Sequence, residues 1–549
     1  MSPVAELSYS FGPELRIWII TPTARVRGGS SAPEPLSGSI TLRSVTESNA
    51  PPASTRCLAP GCGRTPRSSD AGARELSDGP SLTGIGFKLA RLAPLPPCAL
   101  RPGTVRSVLP QPPRPSPSVA STPVARAVLD PQCMASSVEP AQTSSFRAMF
   151  EIRTRASDSR ARTGTLRLAH GDVQTPAFVP LATRGAVKTL EPRDVEALGY
   201  EMVLGNTFHL FLSPGPEMID SYGGLGSFMR WQRPIITDSG GFQIFSMGHG
   251  GVADEIKGRG RSGTAAGSGG AILEIAEEGV RFRSYIDGDE RFMAPETSME
   301  VQAALHSDIA LVLDECTPFH VTRDYTARST ERTHRWLERC LDWHEQHGPR
   351  DQLVYGIVQG GVEQDLRVAS TEAVAASRCG GIAIGGSLGQ DKPQMHEVVS
   401  WTTAALERVT PERPRHLLGI GDIDDLLIGV GLGIDTFDCA MPTRLARHGV
   451  AIVPDPKGRW RVDLAKSSHR GSQEPIMEGC PCPACSEGFT RGYIQYAAKA
   501  GETTGPRLLT LHNLSYIQRL MADLRDAIDQ GVLTERVAEF MAGAAPSLR

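Results

Sequence analysis

The sequence predicts an α/β fold, a closed (β/α)8 barrel, from the order of its apolar segments. From about residue 175 onward, short apolar runs recur, and each ends on a polar residue or a glycine. Helical patterns such as "STERTHRWLERCLDWHEQH" separate most of them. Continuous apolar strands that alternate with helices are typical of a covered parallel sheet, and eight such units close into a barrel. The eight runs are "AFVPLAT", "EMVLGNTFH", "PIITDSGG", "IALVLDEC", "LVYGIVQGG", "GIAIGG", "RHLLGIGD" and "GIDTFDC".

An open, doubly wound sheet is the structural alternative. Such a sheet usually carries a glycine-rich phosphate loop after its first strand, and no such loop follows "AFVPLAT". A glycine-rich insert at 248–270 separates the third and fourth runs, and we interpret it as a surface loop without an assigned function. Alternating residues around an Asp-Gly turn in "EEGVRFRSYIDGDERFMAP" then predict a β-hairpin.

Residues 1–147 differ in composition from the rest of the chain. They contain 22 of the 42 prolines and show no helical or strand period, so we expect no packed core there. We interpret the segment as a disordered or mis-annotated N-terminal extension, with Met134 and Met149 as alternative starts. A cleaved transit peptide is the competing interpretation, because the segment is rich in Arg and Ser.

Charge and hydropathy limit the partners of the protein. The longest apolar patch of the extension, "IWII", is too short to span a membrane, and we expect no membrane partner. Residues 148–549 carry a net charge of −10, so a polyanionic partner requires basic residues that are gathered locally. The segment "DPKGRWRVDLAKSSHRG" is one such place, although a solvated surface hairpin explains it equally well. Eleven cysteines without a signal peptide favour a reducing, cytoplasmic location.

Polar residues at the ends of four apolar runs should meet at the mouth of such a barrel. These residues are Asp238, Asp314, Gln359 and Asp438. A pair of carboxylates suits a reaction in which one attacks a carbon and the other moves a proton. An isolated acid at such a place is more often part of a salt bridge. Cysteines beside these acids, in "LDEC" and "FDC", are more often packing residues than nucleophiles.

A C-x-C-x-x-C cluster in "CPCPACSEGF" predicts a metal site. Cys480, Cys482 and Cys485 supply three thiolates, and Zn²⁺ normally takes a fourth ligand from elsewhere. We expect His512, at the start of the helical pattern "HNLSYIQRLMADLRDAIDQG", with His469 as the alternative. A Cys3His shell has no open position for water, so the predicted zinc is structural.

The motifs together resemble the tRNA-guanine transglycosylase family, the queuine tRNA-ribosyltransferases. The likeness runs from about Phe150 to Phe540 and includes "GNTFHL", "TDSGGFQIFS", "GIVQGG", "LLGIGDIDD" and "DTFDCAMPTR" in order. The resemblance implies a TIM barrel, placed at 148–545, with a zinc-binding subdomain at 455–530. It also implies exchange of guanine at the tRNA wobble position for a 7-deazaguanine, in queuosine biosynthesis, by a homodimer in bacteria.

Carried over residue by residue, the resemblance assigns Asp438 as nucleophile and Asp238 as general acid and base. The base-binding positions are Asp238, Ser239, Gly240, Gly241, Phe242, Asp314, Gln359 and Gly386. The RNA-contacting positions are Gly419, Ile420, Gly421, Asp422, Ile423, Asp424, Asp425, Thr443, Arg444, Leu445, Ala446 and Arg447. The zinc ligands are Cys480, Cys482, Cys485 and His512.

The chain departs from the family pattern at several places. The usual bacterial Leu-Ser/Ala-Val-Gly-Glu after "IGG" is replaced by "SLGQD", which changes the pocket wall around the 7-substituent. Asp422 stands at a commonly basic position, and the spacing from Cys485 to His512 is one residue longer than usual. Cys316 favours 7-aminomethyl-7-deazaguanine as the incoming base, whereas "SLGQD" leaves queuine open.

Two other functions remain as alternatives. One is a non-catalytic, zinc-containing tRNA-binding subunit of a transglycosylase, which would lose the paired acids that this chain has. The other is a paralogue that modifies archaeal tRNA or DNA.

Overall fold

The computed structural model describes residues 149–248 and 272–548, together with two short strands nearer the N-terminus. The chain divides into two units, Met1–Pro123 and Val124–Arg549. In the first unit, Ser8–Phe11 pairs antiparallel with Leu15–Trp18. The predicted disorder of the rest of 1–147 and the predicted loop at 249–270 lie outside the described residues.

Eight parallel strands form the barrel that the sequence predicts, one from each apolar run. Neighbours in the barrel follow chain order, the eighth strand pairs with the first, and a parallel bridge from Leu181 to Leu204 joins the first to the second. The strands are Ala177–Pro180, Val203–Gly205, Ile235–Thr237, Ile309–Leu311, Leu353–Val358, Gly381–Ile384, Arg415–Leu417 and Thr436–Cys439.

These strands are buried along their whole length. All four residues of Thr436–Cys439 and all six of Leu353–Val358 are buried. Strands of a parallel sheet are covered on both faces, which explains why their residues form continuous apolar runs. Because the carboxyl ends of the strands lie at one rim, the polar residues that follow each run are brought to a single mouth.

Helices connect the strands and cover the barrel. Arg323–His347 begins at the N-cap Thr322, whose side chain accepts a hydrogen bond from the Tyr325 N–H, and Asp391 caps Lys392–Val409 in the same way. The helices of the described residues are Pro192–Ala197, Thr207–Leu212, Pro216–Ser221, Gly224–Met229, Gly241–Gly248, Pro295–Ala304, Arg323–His347, Gln364–Ala376, Lys392–Val409, Ile423–Gly431, Met441–Arg447, Pro483–Ser486, Arg491–Ala500, Thr504–Gln530 and Leu533–Met541, with a 3-10 turn at Ser467–His469.

Two three-stranded antiparallel sheets accompany the barrel in the described residues. The predicted hairpin is confirmed, because Val280–Arg283 pairs with Glu290–Met293, and a third strand that the sequence pattern missed, Ile272–Ile275, joins it. The second sheet, also not predicted strand by strand, lies before the first barrel strand. Its members are Phe150–Arg155, Arg162–Leu168 and Gly171–Thr175.

The C-terminal part of the barrel chain carries a small hairpin and the longest helix. Val450–Ile452 pairs with Arg461–Asp463 in a hairpin, which is the structure that the sequence left as an alternative explanation of the basic segment. The helix Thr504–Gln530 begins eight residues before the predicted start at His512, because Pro506 lies in its first turn, where proline is tolerated. Among the described helices, none has the length and apolarity needed to cross a bilayer. The boundaries 148–545 and 455–530 stay predictions.

Candidate active site and metal centre

Asp438 ends the eighth barrel strand, and its side chain is held by two donors. His416 Nε2 lies 3.1 Å from Oδ1 of Asp438, and the Gly419 N–H donates to the same oxygen at 3.1 Å. His416 is fully buried on the neighbouring seventh strand, where its Nδ1 lies 2.9 Å from Oγ1 of Thr436. Among the described residues, no lysine or arginine forms an ion pair with Asp438. The carboxylate is therefore oriented by an imidazole and a backbone N–H, and not by a lysine or arginine of the described chain.

Asp238 follows the third barrel strand, at the same rim as Asp438, and it lies near enough for the charge of Asp438 to affect it. The Thr207 N–H donates to Oδ1 at 2.9 Å, Gln243 Nε2 donates to Oδ2 at 3.1 Å, and Asn206 Nδ2 also donates to Oδ2. Burial, with a smaller contribution from the charge of Asp438, raises the pKa of Asp238 from 3.8 to about 7, although the hydrogen bonds from Thr207 and Gln243 act to lower it. A carboxyl group with a pKa near 7 can both give and take a proton at neutral pH.

Asp314 and Gln359 lie together at the ends of the fourth and fifth strands. Gln359 Nε2 donates to Oδ2 of Asp314 at 2.6 Å, and the Ser239 hydroxyl donates to Oδ1 at 2.9 Å. Burial raises the pKa of Asp314 from 3.8 to about 6. Ser239, Asp314 and Gln359, three of the predicted base-binding residues, therefore form one hydrogen-bonded group. Ser239 directly follows Asp238 in the sequence.

Two predicted glycines leave room that a side chain would fill. Gly386 has φ +77°, and a Cβ there would lie 2.1 Å from Oε1 of Gln359. A Cβ on Gly241 would lie 2.6 Å from the Asp314 carbonyl oxygen. Phe242, beside it, keeps 39% of its surface exposed and can offer a ring face at the mouth. Gly240 lies on the same turn, before the helix Gly241–Gly248.

The cysteines beside the acids are packing residues. Cys316 and Cys439 are 4% and 6% exposed and belong to the apolar core. Burial raises the pKa of the Cys316 thiol well above its usual range, which disfavours the thiolate.

The predicted RNA segment from Gly419 to Asp425 divides into two parts. Its glycines contact the eighth barrel strand. The Gly419 N–H donates to Asp438, and a Cβ on Gly421 would lie 2.5 Å from Cβ of Cys439. Its three acids instead surround Lys392, whose Nζ lies within 3.3 Å of each of them. Arg461 also pairs with Asp422, so the acid at this commonly basic position is neutralised inside the protein.

The second RNA segment forms the short helix Met441–Arg447 directly after Asp438. Thr443 and Ala446 are buried, whereas Arg444 and Arg447 are exposed. Arg447 Nη1 donates to the Thr443 hydroxyl at 3.3 Å, and within the described chain neither arginine pairs with a carboxylate. Two exposed guanidinium groups without a carboxylate partner among the described residues therefore lie just after the eighth barrel strand.

The four predicted metal ligands form one compact cluster. Nδ1 of His512 lies 3.7, 3.4 and 3.5 Å from the sulfurs of Cys480, Cys482 and Cys485. The ligand atoms all lie within 4.8 Å of one another, so the cluster could hold a metal ion. Nε2 of His512 donates to the Ile452 carbonyl at 2.8 Å, which leaves Nδ1 for the metal. The alternative ligand, His469, is not part of the cluster.

Sequence reasoning missed the residues that hold the two acids. Asn206, Thr207 and Gln243 lie inside motifs that the sequence shows, "GNTFHL" and "TDSGGFQIFS", but their roles depend on which loops meet at the mouth. His416 appears in the sequence only as the second residue of a strand. The sequence signal for His416 was a polar residue within the run "RHLLGIGD" that forms a barrel strand.

Comparisons with known proteins show which sequences this chain resembles. The sequence profile of the family described as "Queuine tRNA-ribosyltransferase" matches residues 157–546. A queuine tRNA-ribosyltransferase of Roseiflexus sp. (strain RS-1) is 45% identical over 401 residues, which is 71% of this chain and 98% of the relative. That of Psychrobacter cryohalolentis is 43% identical over 71% of this chain and 95% of the relative, and that of Acinetobacter baylyi 42% identical over 69% and 91%.

Proposed function

Because the chain belongs to the queuine tRNA-ribosyltransferase family and is a tRNA-guanine transglycosylase, we propose that it works through a ribosyl ester on Asp438. Guanine at the anticodon wobble position would leave, and a 7-deazaguanine base would take its place. The observation that carries the proposal is a pair of carboxylates at one rim of the barrel: Asp438, which no described lysine or arginine neutralises, and Asp238, whose pKa is raised to about 7 partly by the charge of Asp438.

The first half of the reaction breaks the bond from the ribose to guanine. A carboxylate oxygen of Asp438 attacks the anomeric carbon, the carbon–nitrogen bond breaks, and protonated Asp238 gives its proton to the departing guanine. His416 and the Gly419 N–H fix the attacking carboxylate. This step leaves a covalent ester and an ionised Asp238.

The second half reverses the sequence with the new base. Ionised Asp238 takes the ring proton of the incoming base, whose nitrogen attacks the anomeric carbon and displaces Asp438. The donors Asn206, Thr207 and Gln243 stabilise Asp238 while it is ionised. The two acids return to their starting states, so the cycle balances.

Base recognition falls to the groups at the ends of the middle strands. Asp314 can accept from the N–H edge of a guanine-like ring, Gln359 can bond its carbonyl face, and Phe242 can stack on it. The bond between Gln359 and Asp314 has to be exchanged for bonds to the base. We keep 7-aminomethyl-7-deazaguanine and queuine as the two candidate bases, in queuosine biosynthesis.

The anticodon loop would be held beside the nucleophile. Arg444 and Arg447 are exposed, free of carboxylate partners in the described chain, and follow Asp438 directly. Guanidinium groups suit phosphates and base edges of single-stranded RNA. Because tRNA is the substrate, we also propose a cytoplasmic location, and the homodimer remains a prediction from the resemblance.

We assign the Cys3His cluster to one structural Zn²⁺. Tetrahedral zinc with Zn–S of about 2.3 Å and Zn–N of about 2.0 Å separates sulfur from nitrogen by roughly 3.6 Å, close to the observed 3.4–3.7 Å. Four protein ligands leave no position for substrate, so the ion would tie the loop at Cys480–Cys485 to the helix Thr504–Gln530. Metal analysis of the purified protein and of Cys480→Ser tests this, and full metal content in the variant would exclude the assignment.

Mass spectrometry of tRNA nucleosides tests the exchange itself. Substrate tRNA incubated with enzyme and either candidate base should lose guanosine at the wobble position and gain the matching 7-deazaguanosine. Asp238→Asn and Asp438→Asn are the matched controls. Unchanged tRNA with both bases and folded wild-type enzyme would refute the proposal.

A further inference from the structure

Arg367 is a fully buried arginine without a carboxylate partner. It lies on the helix Gln364–Ala376, after the fifth barrel strand, and its exposed fraction is 0%. Within the described residues, its guanidinium forms no ion pair; all four of its hydrogen bonds go to backbone carbonyls. Burying an arginine in this way is costly, since its charge loses water and gains only neutral acceptors. Such a cost calls for a specific role.

The four carbonyls belong to residues that lie before and after Gln359 and Gly386 in the sequence, in two neighbouring loops. Nη1 donates to Val358 at 3.1 Å and Nε to Gly361 at 2.7 Å, on either side of Gln359. Nη1 also donates to Gly385 at 2.8 Å and Nη2 to Ser387 at 3.0 Å, on either side of Gly386.

The two loops pack closely against each other beside Arg367. A Cβ on Gly386 would lie 2.1 Å from the Gln359 side chain and 3.4 Å from Nη2 of Arg367. A planar guanidinium with five donors can reach carbonyls in two loops at once, whereas an ammonium group is a single point.

We propose that Arg367 is the positioning residue of the base pocket: its guanidinium fixes Gln359 and Gly386 at the spacing that the 7-deazaguanine ring requires. This inference rests on the proposed function, because it assumes that the base binds between these two residues. Arg367 itself does not touch the base. Its effect should therefore appear in the recognition of the base and not in the recognition of tRNA.

Steady-state kinetics of Arg367→Lys separate these two effects. We expect the KM for the incoming base to rise roughly tenfold or more, since small misplacements of a binding group are costly. The KM for tRNA should stay within about twofold of wild type, because Arg444 and Arg447 lie elsewhere, on the helix Met441–Arg447. Guanidinium ion added to Arg367→Ala should restore part of the affinity for the base.

Arg162→Lys is the matched control. Arg162 is equally buried and also donates to backbone carbonyls, those of Pro411 and Arg413, but it lies before the barrel strands and pairs with Asp435. We expect it to lower the melting temperature and leave the KM for the base unchanged.

The outcomes distinguish this inference from the proposed function. If wild-type enzyme fails to exchange guanine, the proposed function fails. If wild type exchanges guanine but Arg367→Lys keeps its KM for the base, or raises both KM values together, the positioning role is wrong. If neither Arg367→Lys nor Arg367→Gln folds, the role is also wrong, since Arg367 would then serve the barrel as a whole.

Discussion

Asp435 and Asp438 lie three residues apart at opposite ends of the eighth barrel strand, and the protein treats them differently. Asp435 is fully buried and takes two bonds from Arg162, at 2.8 and 2.6 Å, and one from the Arg415 N–H. Asp438 receives only His416 and the Gly419 N–H, and no described arginine or lysine pairs with it. One residue type thus forms a buried ion pair at one end of the strand, whereas at the other end it is the nucleophile that we propose.

The two ends of one barrel strand place a carboxylate in two different electrostatic environments. A carboxylate paired with a cation has little capacity to attack carbon, because its charge is already stabilised. No described arginine or lysine pairs with the Asp438 carboxylate, and this is the carboxylate that we propose attacks the ribose. Asp435 directly precedes the buried strand Thr436–Cys439, and Asp438 lies near its carboxyl end, so this short strand keeps the two environments apart.

Asp438→Asn should have the largest effect on activity. The amide keeps the volume and the bond to Gly419 but cannot attack the anomeric carbon, so guanine exchange should fall by roughly 10³-fold or more. Its melting temperature should stay close to wild type. Both are measured on the same preparation, and undiminished exchange would end the distinction between the two acids.

Asp435→Asn should give the reverse result. The change leaves the Arg162 guanidinium buried without a carboxylate, which should cost about 3 kcal/mol or more of unfolding free energy. Exchange per folded molecule should stay near wild type. Denaturant unfolding alongside single-turnover kinetics checks this; unchanged stability would mean that the pair contributes little.

The pH dependence of ester formation tests the proposed role of Asp238 as the proton donor. The folded-state pKa of Asp238 is raised to about 7, so its proton is present below pH 7 and is lost above it. Single-turnover formation of the ester should therefore fall by about tenfold per pH unit above pH 7. Asp238→Asn should form ester slowly and without this break. An identical slope in the variant would assign the titration to another group.

Gln243→Met should produce the smallest effect. It removes one donor to Oδ2 of Asp238 and so destabilises the ionised form. The break in the pH profile should move upward by roughly half to one pH unit. A downward shift would contradict the role of this bond.

The sequence predicted the strands and the acids because both depend on local pattern. Each apolar run became a barrel strand, and Asp238, Asp314, Gln359 and Asp438 follow from their positions at strand ends. The early start of the helix at Thr504 was missed because Pro506 looks like a break.

The groups that fix the acids could not be predicted in this way. His416 reaches Asp438 from the neighbouring strand, and Asn206 reaches Asp238 from another loop. Arg367 spans two loops whose contact arises only when the fifth and sixth strands pair. These contacts depend on which strands and loops are neighbours in the folded barrel, and the pattern of a single sequence does not show this.

The most direct test of the central claim is to locate the covalent ester. Wild-type enzyme, substrate tRNA and a base analogue that cannot attack should give a denaturation-resistant adduct, whose site is mapped by nuclease digestion and peptide mass spectrometry. The account predicts ribose attached to Asp438, and no adduct with Asp438→Asn. Attachment to Asp238 or to any other residue would contradict it.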